Sequence, residues 1–337
     1  MASKPRVLLP LVEFFKDLFL TDADLDQLAE FSDMRLVLCK WGDSTGWDAL
    51  LAEFKPDVLV TGWGTPRLTL ESHEKTPSVK FIAHLSGAIR GIVDKSVMEK
   101  HGVRVTNWGE IGTPSIAEGT LMMTLASLRK FPYYHNLMHV KKGWGAMPAR
   151  GQRLFKKRVG IQGLGRISRH FVKLLEPFGC DIMAYSPHVK DEIFKEYNVK
   201  RCNSLEELHS QNEVVVNLAG LTPQTRGCVT REIIKLLPDG AHYILTGRAG
   251  TVDMDAMREE LMSGRIFGAF DVYDAEPLPE DSPLRGLENC ILFPHVAGPT
   301  TDYYPEIVDQ AFDNIRRFFA NAPLVNEVTP DLYDFMT

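Results

Sequence analysis

Three polar side chains in the second half of the sequence have the types and the order needed for acid–base chemistry on a small acid: Arg248, Glu276 and His295. An arginine that follows an apolar strand can reach a crevice and bind a carboxylate through two parallel hydrogen bonds. A carboxylate bonded to one ring nitrogen of a histidine fixes the tautomer and favours the charged ring, so the other nitrogen can donate a proton. This pair suits carbonyl reduction, in which hydride from a nicotinamide produces an alkoxide that needs a proton.

Each of the three residues also has an ordinary structural interpretation. A single arginine after a strand is usually a surface ion-pair partner, and a glutamate before proline is usually a solvated loop residue. Their joint occurrence, in this order and downstream of a glycine-rich turn, favours a catalytic set.

The glycine-rich turn lies between a predicted strand at 158–162 and a helical pattern that ends at Leu175. Gly163 permits a tight turn, and Gly165 lets backbone N–H groups approach a phosphate closely. Arg166 and Ile167 lie in the same turn, and the helical pattern that follows from Arg169 presents its positive dipole end to the anion. The third small position holds Ser168 instead of glycine, which still allows close packing of helix and strand. The motif therefore predicts binding of the pyrophosphate of NAD or NADP.

Short apolar stretches alternate with amphipathic ones along most of the chain, a pattern that predicts parallel sheets covered by helices. One set of predicted strands covers 6–12, 34–39, 57–61, 81–85 and 103–107, and a second covers 158–162, 181–185, 213–218, 241–246, 266–272 and 290–293. We therefore expect an α/β protein of two Rossmann-like or flavodoxin-like domains with a cleft between them.

The expected dinucleotide-binding domain spans 113–298. The expected substrate-binding domain is discontinuous, 1–112 and 299–337, because the second sheet is complete before a last helical pattern begins near Tyr303. A long helix from about Ser115 to about His139 joins the two domains. Apolar residues lie almost all round this helix, so we expect it to be buried between domains or between subunits.

Composition excludes several classes of protein. The net charge of -6 argues against a nucleic-acid-binding protein that works through a basic field. Five widely spaced cysteines indicate reduced thiols rather than disulfides or a metal site. No apolar run approaches the ~18 residues that a membrane span needs. We expect a cytoplasmic protein with no metal, no nucleic-acid partner and no membrane partner.

With these motifs the chain resembles the D-2-hydroxyacid dehydrogenases, the family of glyoxylate, hydroxypyruvate and phosphoglycerate dehydrogenases, over nearly its whole length. The matching segments lie at 159–167, 221–227, 248–253, 263–266, 271–277 and 294–298. The resemblance implies that Arg248 binds the substrate carboxylate and keto oxygen, that Glu276 supports His295, and that His295 is the acid–base group. It implies an NAD(P)-dependent oxidoreductase that interconverts a small 2-keto acid and the D-2-hydroxy acid.

The resemblance also assigns binding residues. Asp271 is expected to hold the nicotinamide carboxamide, and backbone amides around Ser86 and Gly87 are expected to hold the substrate carboxylate. It further implies a homodimer joined through the helix near Ser115. The complete set expected at the cofactor is Gly163, Gly165, Arg166, Ile167, Ser186, Leu218, Thr246, Asp271 and Gly298.

Among several departures from the family pattern, three concern residues expected near the cofactor or the substrate. Ser186 ends the second strand of the nucleotide domain, where NAD-specific members place an aspartate that bonds the ribose, so we expect NAD with NADP left open. Leu218 occupies a position often held by histidine, which predicts a packing contact only. Arg90, in the loop that holds Ser86, is either a solvated charge or a ligand for a second acidic group of the substrate.

Two other functions stay open. One is a non-catalytic dinucleotide-sensing protein of the same fold, against which the Arg, Glu and His set counts. The other is a dehydrogenase of the phosphite type; formate enzymes of this architecture lack the glutamate, so Glu276 counts against that relation.

Overall fold

The chain forms two compact α/β units, one made of 1–112 with 299–337 and the other of 113–298. The computed structural model describes residues 4–144, 150–298 and 300–334. The predicted domain limits at 1, 299 and 337 therefore lie outside the described residues. Each unit is built on its own sheet and has its own apolar core on both faces of that sheet.

The elements follow in chain order. The first unit begins with β1 (Arg6–Val12), α1 (Glu13–Phe19), α2 (Asp22–Phe31), β2 (Asp33–Cys39), α3 (Trp47–Phe54), β3 (Val58–Thr61), α4 (Leu70–Lys75), β4 (Phe81–His84), α5 (Lys95–His101) and β5 (Arg104–Thr106). The second unit comprises α6 (Thr113–Leu128), α7 (Phe131–His139), β6 (Arg158–Gln162), α8 (Arg166–Leu175), β7 (Asp181–Tyr185), α9 (Asp191–Glu196), β8 (Lys200–Arg201), α10 (Leu205–Gln211), β9 (Val214–Asn217), α11 (Arg231–Lys235), β10 (His242–Leu245), α12 (Met254–Met262), β11 (Phe267–Phe270) and β12 (Cys290–Leu292). The chain then returns to the first unit with α13 (Tyr304–Phe319), β13 (Glu327–Val328) and α14 (Pro330–Tyr333). Within the described residues, no helix is long and apolar enough to span a bilayer.

The first unit has a six-stranded sheet in the order β13-β5-β4-β3-β1-β2. All neighbours are parallel except β13, which pairs antiparallel with β5. The central strands are apolar on both faces and fully buried, as expected for a parallel sheet covered by helices on each side. The order β2-β1-β3-β4-β5 is that of flavodoxin-like folds, so ligands are expected at the carboxyl ends of these strands.

The second unit has a seven-stranded, wholly parallel sheet in the order β12-β11-β10-β9-β6-β7-β8. The chain moves outward from β6 to β8 on one side and from β9 to β12 on the other, which is the Rossmann arrangement. The switch between the two directions falls between β6 and β9, beside the turn that contains Gly163. The predicted strands are present with ends shifted by one or two residues, and β8 is a strand that the sequence pattern does not predict.

The single helix predicted from about Ser115 to His139 is wrong, because the chain forms two helices there. α6 ends at Leu128, Lys130 adopts a left-handed conformation with φ 53°, and α7 starts at Phe131 with a proline in its first turn. The expected burial holds for one face of α6 only. No residue of α7 is buried within the described chain, and Phe131 is 59% exposed.

Four histidines are buried within the described residues, and three of them make the stability of the fold depend strongly on pH. Burial lowers the pKa of His84, His209 and His242 from 6.5 to about 4. Because the folded protein disfavours the charged rings, the unfolded chain binds more protons between these pH values, and stability rises with pH across this window. The stabilisation is fully present above pH 6.5 and is lost towards pH 4, by on the order of 3 kcal/mol for each histidine.

We therefore expect chemical denaturation at stepwise pH to show a steep fall in the free energy of unfolding below pH 6.5. His209→Gln should make that fall shallower, since it removes one of these three buried rings. The matched control is His188→Gln, at an exposed histidine in the loop after β7, which should leave the slope unchanged. A slope equal to wild type in His209→Gln would contradict this account.

Candidate active site

The predicted site residues of the second unit follow its parallel strands, where the carboxyl ends of the strands share one edge of the sheet. Gly163 follows β6, Ser186 follows β7, Leu218 follows β9, Thr246 and Arg248 follow β10, Asp271 follows β11 and His295 follows β12. This is the edge at which open α/β sheets bind their ligands. The topology therefore brings the predicted cofactor residues and the predicted catalytic residues of this unit to one edge.

The glycine turn fits the pyrophosphate of a dinucleotide. Gly163 has φ +86°, and a Cβ there would lie 3.1 Å from the Cα of Ala219, so the turn requires glycine. Gly165 is the N-cap of α8; no side chain caps this helix, and nothing lies within 4 Å of the position that its Cβ would take. Ser168 is buried and its hydroxyl donates to the carbonyl of Gly163 at 2.6 Å, which shows why a small residue is needed there. Uncapped N–H groups at the start of a helix, with open space before them, bind anions.

Because of the open space at Gly165, we expect a substitution there to weaken cofactor binding without lowering stability. Gly165→Ala should leave thermal unfolding nearly unchanged, because φ is -78° and a methyl group meets no protein atom. The same methyl group would enter the space before α8, so we expect the Kd for NADH to rise on the order of tenfold through lengthened hydrogen bonds to phosphate. Fluorescence titration with NADH measures the effect. Gly91→Ala, also in open space and without positive φ, is the control, and equal affinities of the two variants would refute the assignment.

A histidine–carboxylate pair follows strands β11 and β12, at the edge of the sheet opposite to β8. His295 Nδ1 is 2.7 Å from Glu276 Oε2, and Glu276 Oε1 accepts the backbone N–H of Tyr273 at 2.9 Å. Burial raises the pKa of the Glu276 carboxyl, but its hydrogen bonds with His295 and Tyr273, and the charges of His295 and Arg248, outweigh burial and leave the pKa below its usual value. The carboxylate is therefore charged at neutral pH and fixes the ring, whose Nε2 is left for a proton transfer.

The loop that carries His295 is held by Asp271. The backbone of His295 is in the left-handed region with φ +59°, which is unfavourable for a non-glycine residue. Asp271 Oδ1 accepts the next two backbone N–H groups, those of Val296 at 2.7 Å and Ala297 at 3.0 Å. Burial raises the pKa of Asp271, and these hydrogen bonds oppose the rise. Sequence reasoning assigned Asp271 to the nicotinamide and missed this second task, for which no local sequence signal exists.

Arg248 supplies a buried positive charge beside these groups. Burial lowers the pKa of its guanidinium, and the charges of Glu276 and Asp271 oppose that lowering. Its Nη1 donates to the carbonyl of Gly247 at 2.8 Å, which fixes the side chain close to the end of β10. The structure thus brings Arg248, Asp271, Glu276 and His295 into one electrostatic cluster. Such a cluster can bind an anion and deliver a proton next to it.

The loop after β7 is contacted by a guanidinium that the sequence analysis did not single out. Arg201, on the two-residue strand β8, donates to the carbonyls of Ser186 at 3.4 Å and Val189 at 2.5 Å and to Asp191 at 2.7 Å. Arg201 lies fifteen residues beyond Ser186 in sequence, so only the pairing of β7 with β8 reveals their proximity. The Arg201 guanidinium therefore contacts the backbone of Ser186 and is paired with the Asp191 carboxylate.

In the first unit, Ser86 and Gly87 follow β4 at the carboxyl edge of the sheet. Trp108 N–H donates to the carbonyl of Ser86 at 3.2 Å, and the Asn107 amide donates to the carbonyl of Gly87 at 2.6 Å. Both carbonyls thus point into the protein. Within the described residues, the N–H groups of Ser86 and Gly87 make no backbone hydrogen bond, which suits the predicted carboxylate contact.

A buried histidine that the sequence analysis did not single out holds the Ser86 side chain. His84 Nε2 lies 2.6 Å from Ser86 Oγ, and its Nδ1 lies 2.9 Å from Thr61 Oγ1. Burial keeps this ring neutral by lowering its pKa to about 4. His84 therefore fixes the serine loop without adding charge.

Arg90 has a structural task that the two sequence interpretations did not include. Its guanidinium donates to the backbone carbonyls of Tyr333 and Asp334, and the Tyr333 hydroxyl lies 3.5 Å from the carbonyl of Arg90. These contacts hold the C-terminal helix α14 against the loop after β4.

The chain is similar to known proteins over most of its length. The family model described as "D-isomer specific 2-hydroxyacid dehydrogenase, NAD binding domain" matches residues 121–297. A D-3-phosphoglycerate dehydrogenase of Methanocaldococcus jannaschii is 33% identical over 258 residues, which are 76% of this chain but only 48% of that longer protein. A glyoxylate/hydroxypyruvate reductase of Arabidopsis thaliana is 32% identical over 260 residues, 76% of this chain and 78% of the relative. Among solved structures, an NADPH-dependent glyoxylate/hydroxypyruvate reductase of Sinorhizobium meliloti has the same fold, with a TM-score of 0.80, 23% identity and 99% of both chains covered.

The chain belongs to the D-isomer specific 2-hydroxyacid dehydrogenase family. Members of this family are NAD(P)-dependent oxidoreductases, so the predicted enzyme class and the predicted α/β fold are confirmed.

Proposed function

We propose that this protein reduces a 2-keto acid to the D-2-hydroxy acid with NADH or NADPH. The observation that carries the proposal is the 2.7 Å contact of His295 with Glu276 beside the buried Arg248, at the strand ends that also hold the glycine turn. A bound nicotinamide cofactor supplies the hydride. The residues of this chain bind the acid and supply the proton.

In the proposed mechanism, Arg248 binds the substrate carboxylate and keto oxygen, and its positive charge favours an oxygen that becomes negative. His295 donates a proton from Nε2 to that oxygen, while Glu276 stabilises the charged ring through Nδ1. Asp271 keeps the His295 loop in place. The Ser86 and Gly87 N–H groups provide a second set of donors for the carboxylate.

The test is oxidation of NADH or NADPH, followed at 340 nm, on addition of glyoxylate, hydroxypyruvate or other 2-keto acids. We expect turnover with at least one acid. Tight dinucleotide binding with no turnover across a broad panel would instead support a dinucleotide-sensing protein, and turnover with phosphite alone would support the phosphite type.

Both cofactors are proposed to be accepted. Ser186 itself carries no negative charge to repel a 2′-phosphate, and the Arg201–Asp191 ion pair beside it has no net charge. Comparison of KM for NADH and NADPH decides the preference.

We also propose a homodimer that forms through α6 and α7, in the cytoplasm. Large apolar side chains on and just beyond α7 are exposed in the single chain: Phe131 59%, Met138 46%, Val140 70% and Trp144 91%. Surface of this kind marks protein contacts. Light scattering of the wild-type protein should give twice the mass of the monomer, and Phe131→Glu should lower the measured mass. A monomeric mass for the wild-type protein would refute the proposal.

A further inference from the structure

An aromatic arc crosses the carboxyl edge of the first unit's sheet. One aromatic side chain follows each of four parallel strands: Phe15 after β1, Trp41 after β2, Trp63 after β3 and Trp108 after β5. Their rings contact in sequence, with centroids 5.5 Å apart for Phe15 and Trp41, 5.0 Å for Phe15 and Trp63, and 5.6 Å for Trp63 and Trp108. We call these four residues the aromatic arc. The remaining strand of this row, β4, contributes Ser86 and Gly87.

Glycines make room for the arc next to the predicted carboxylate loop. A Cβ at Gly87 would lie 2.7 Å from the indole nitrogen of Trp108, so the indole packs directly on the Ser86–Gly87 backbone. A Cβ at Gly64, where φ is +76°, would lie 2.9 Å from the ring of Trp41. The arc therefore depends on glycine at both positions and continues up to the loop whose N–H groups are free to bind an acid.

The arc is not simply core. Trp41 is 65% exposed and its neighbour Phe14 is 67% exposed, while Phe15, Trp63 and Trp108 are each only partly buried. Aromatic surface left open at the carboxyl ends of parallel strands is where a ligand of an open α/β sheet contacts its protein. Glyoxylate carries no side chain and would leave this surface unused.

We propose that the preferred substrate is a 2-keto acid with an aromatic side chain, whose ring packs on Trp63 and its neighbours while its carboxylate meets Ser86 and Gly87. This proposal rests on the proposed function and specifies its substrate class. Stacked and edge-to-face aromatic contacts hold such a ring better than an aliphatic group of similar area.

The experiment compares kcat/KM for phenylpyruvate with that for glyoxylate in the full-length enzyme, using whichever reduced cofactor is active. We expect phenylpyruvate to be favoured by tenfold or more. Trp63→Leu should lower kcat/KM for phenylpyruvate about tenfold and that for glyoxylate less than threefold. Trp41→Leu is a second variant at a more exposed position, and Phe155→Leu, at a 53% exposed aromatic residue of the other unit, is the control that should leave the ratio unchanged.

The outcomes separate this proposal from the proposed function. Reduction of glyoxylate with no preference for phenylpyruvate, or an equal loss for both acids in Trp63→Leu, overturns the aromatic substrate class and leaves the reductase intact. Absence of turnover with every acid overturns the proposed function. In that case quenching of tryptophan fluorescence by D-3-phenyllactate but not by glycolate still supports the aromatic site, and equal quenching by the two refutes it.

Discussion

Replacement of His295 by asparagine is expected to lower kcat for keto-acid reduction by roughly 10²–10⁴-fold, the usual range for loss of a general acid. Asparagine is the suitable replacement because the backbone at this position has φ +59°, and asparagine tolerates the left-handed region better than most residues. The variant should fold and bind NADH as wild type does. Steady-state kinetics at 340 nm, together with NADH titration, measure the two properties separately.

Glu276→Gln should lower kcat, but less than His295→Asn does. Glutamine keeps a hydrogen-bonding oxygen for the ring but removes the negative charge 2.7 Å from Nδ1. Because that charge favours proton transfer through the ring, its removal should slow the reaction while the ring stays in place. Steady-state kinetics at 340 nm measure the effect, and a kcat equal to that of wild type would show that the charge plays no part.

The control for both variants is His101→Asn, at an exposed histidine on α5 of the first unit, which should leave kcat within twofold. If His295→Asn retained kcat within threefold of wild type, the acid–base assignment would be refuted even if the protein reduces keto acids.

Alternation of apolar and amphipathic stretches was enough to predict both sheets, because parallel strands buried on two faces leave a clear apolar signal. The same signal failed for the long helix. Apolar residues recur through 115–139, and this pattern hides the break at Lys130, whose left-handed conformation the residue type does not indicate. Pro132, in the first turn of α7, is the one signal in the sequence that marks the start of a new helix. Strand β8 has only two residues and exists through its pairing with β7, so periodicity could not reveal it.

The site also contains residues that the sequence predicts and contacts that it does not. Arg248, Glu276 and His295 each follow a strand, so their common edge could be predicted from topology rules alone. The contacts of Asp271 with the Val296 and Ala297 amides, and of Arg201 with Ser186, depend on loop conformations that bring together residues fifteen or more positions apart. Such contacts leave no short-range pattern in the sequence.

Arg248→Lys is expected to lower kcat/KM for a 2-keto acid by roughly 10²–10³-fold, although the positive charge is kept. Lysine cannot form two parallel hydrogen bonds with a carboxylate and a keto oxygen, and loss of one partner of a buried, hydrogen-bonded charge pair typically costs about 2–5 kcal/mol. The Arg248 side chain is only partly exposed, so few water molecules can replace the missing contacts. Kinetics at saturating NADH should show that most of the decrease in kcat/KM comes from a higher KM for the acid, with the Kd for NADH unchanged.

A keto amide of the same carbon skeleton distinguishes recognition of the carboxylate from a general loss of activity. Wild type should prefer the keto acid strongly over the amide, and Arg248→Ala should reduce that preference, since the discriminating charge is gone. Arg231→Lys serves as the control, because Arg231 pairs with Glu259 at the surface of the same unit and should change neither parameter. If Arg248→Ala lowered turnover of acid and amide by the same factor, Arg248 would act by supporting the loop after β10, and the carboxylate would have to be bound by the Ser86 and Gly87 amides alone.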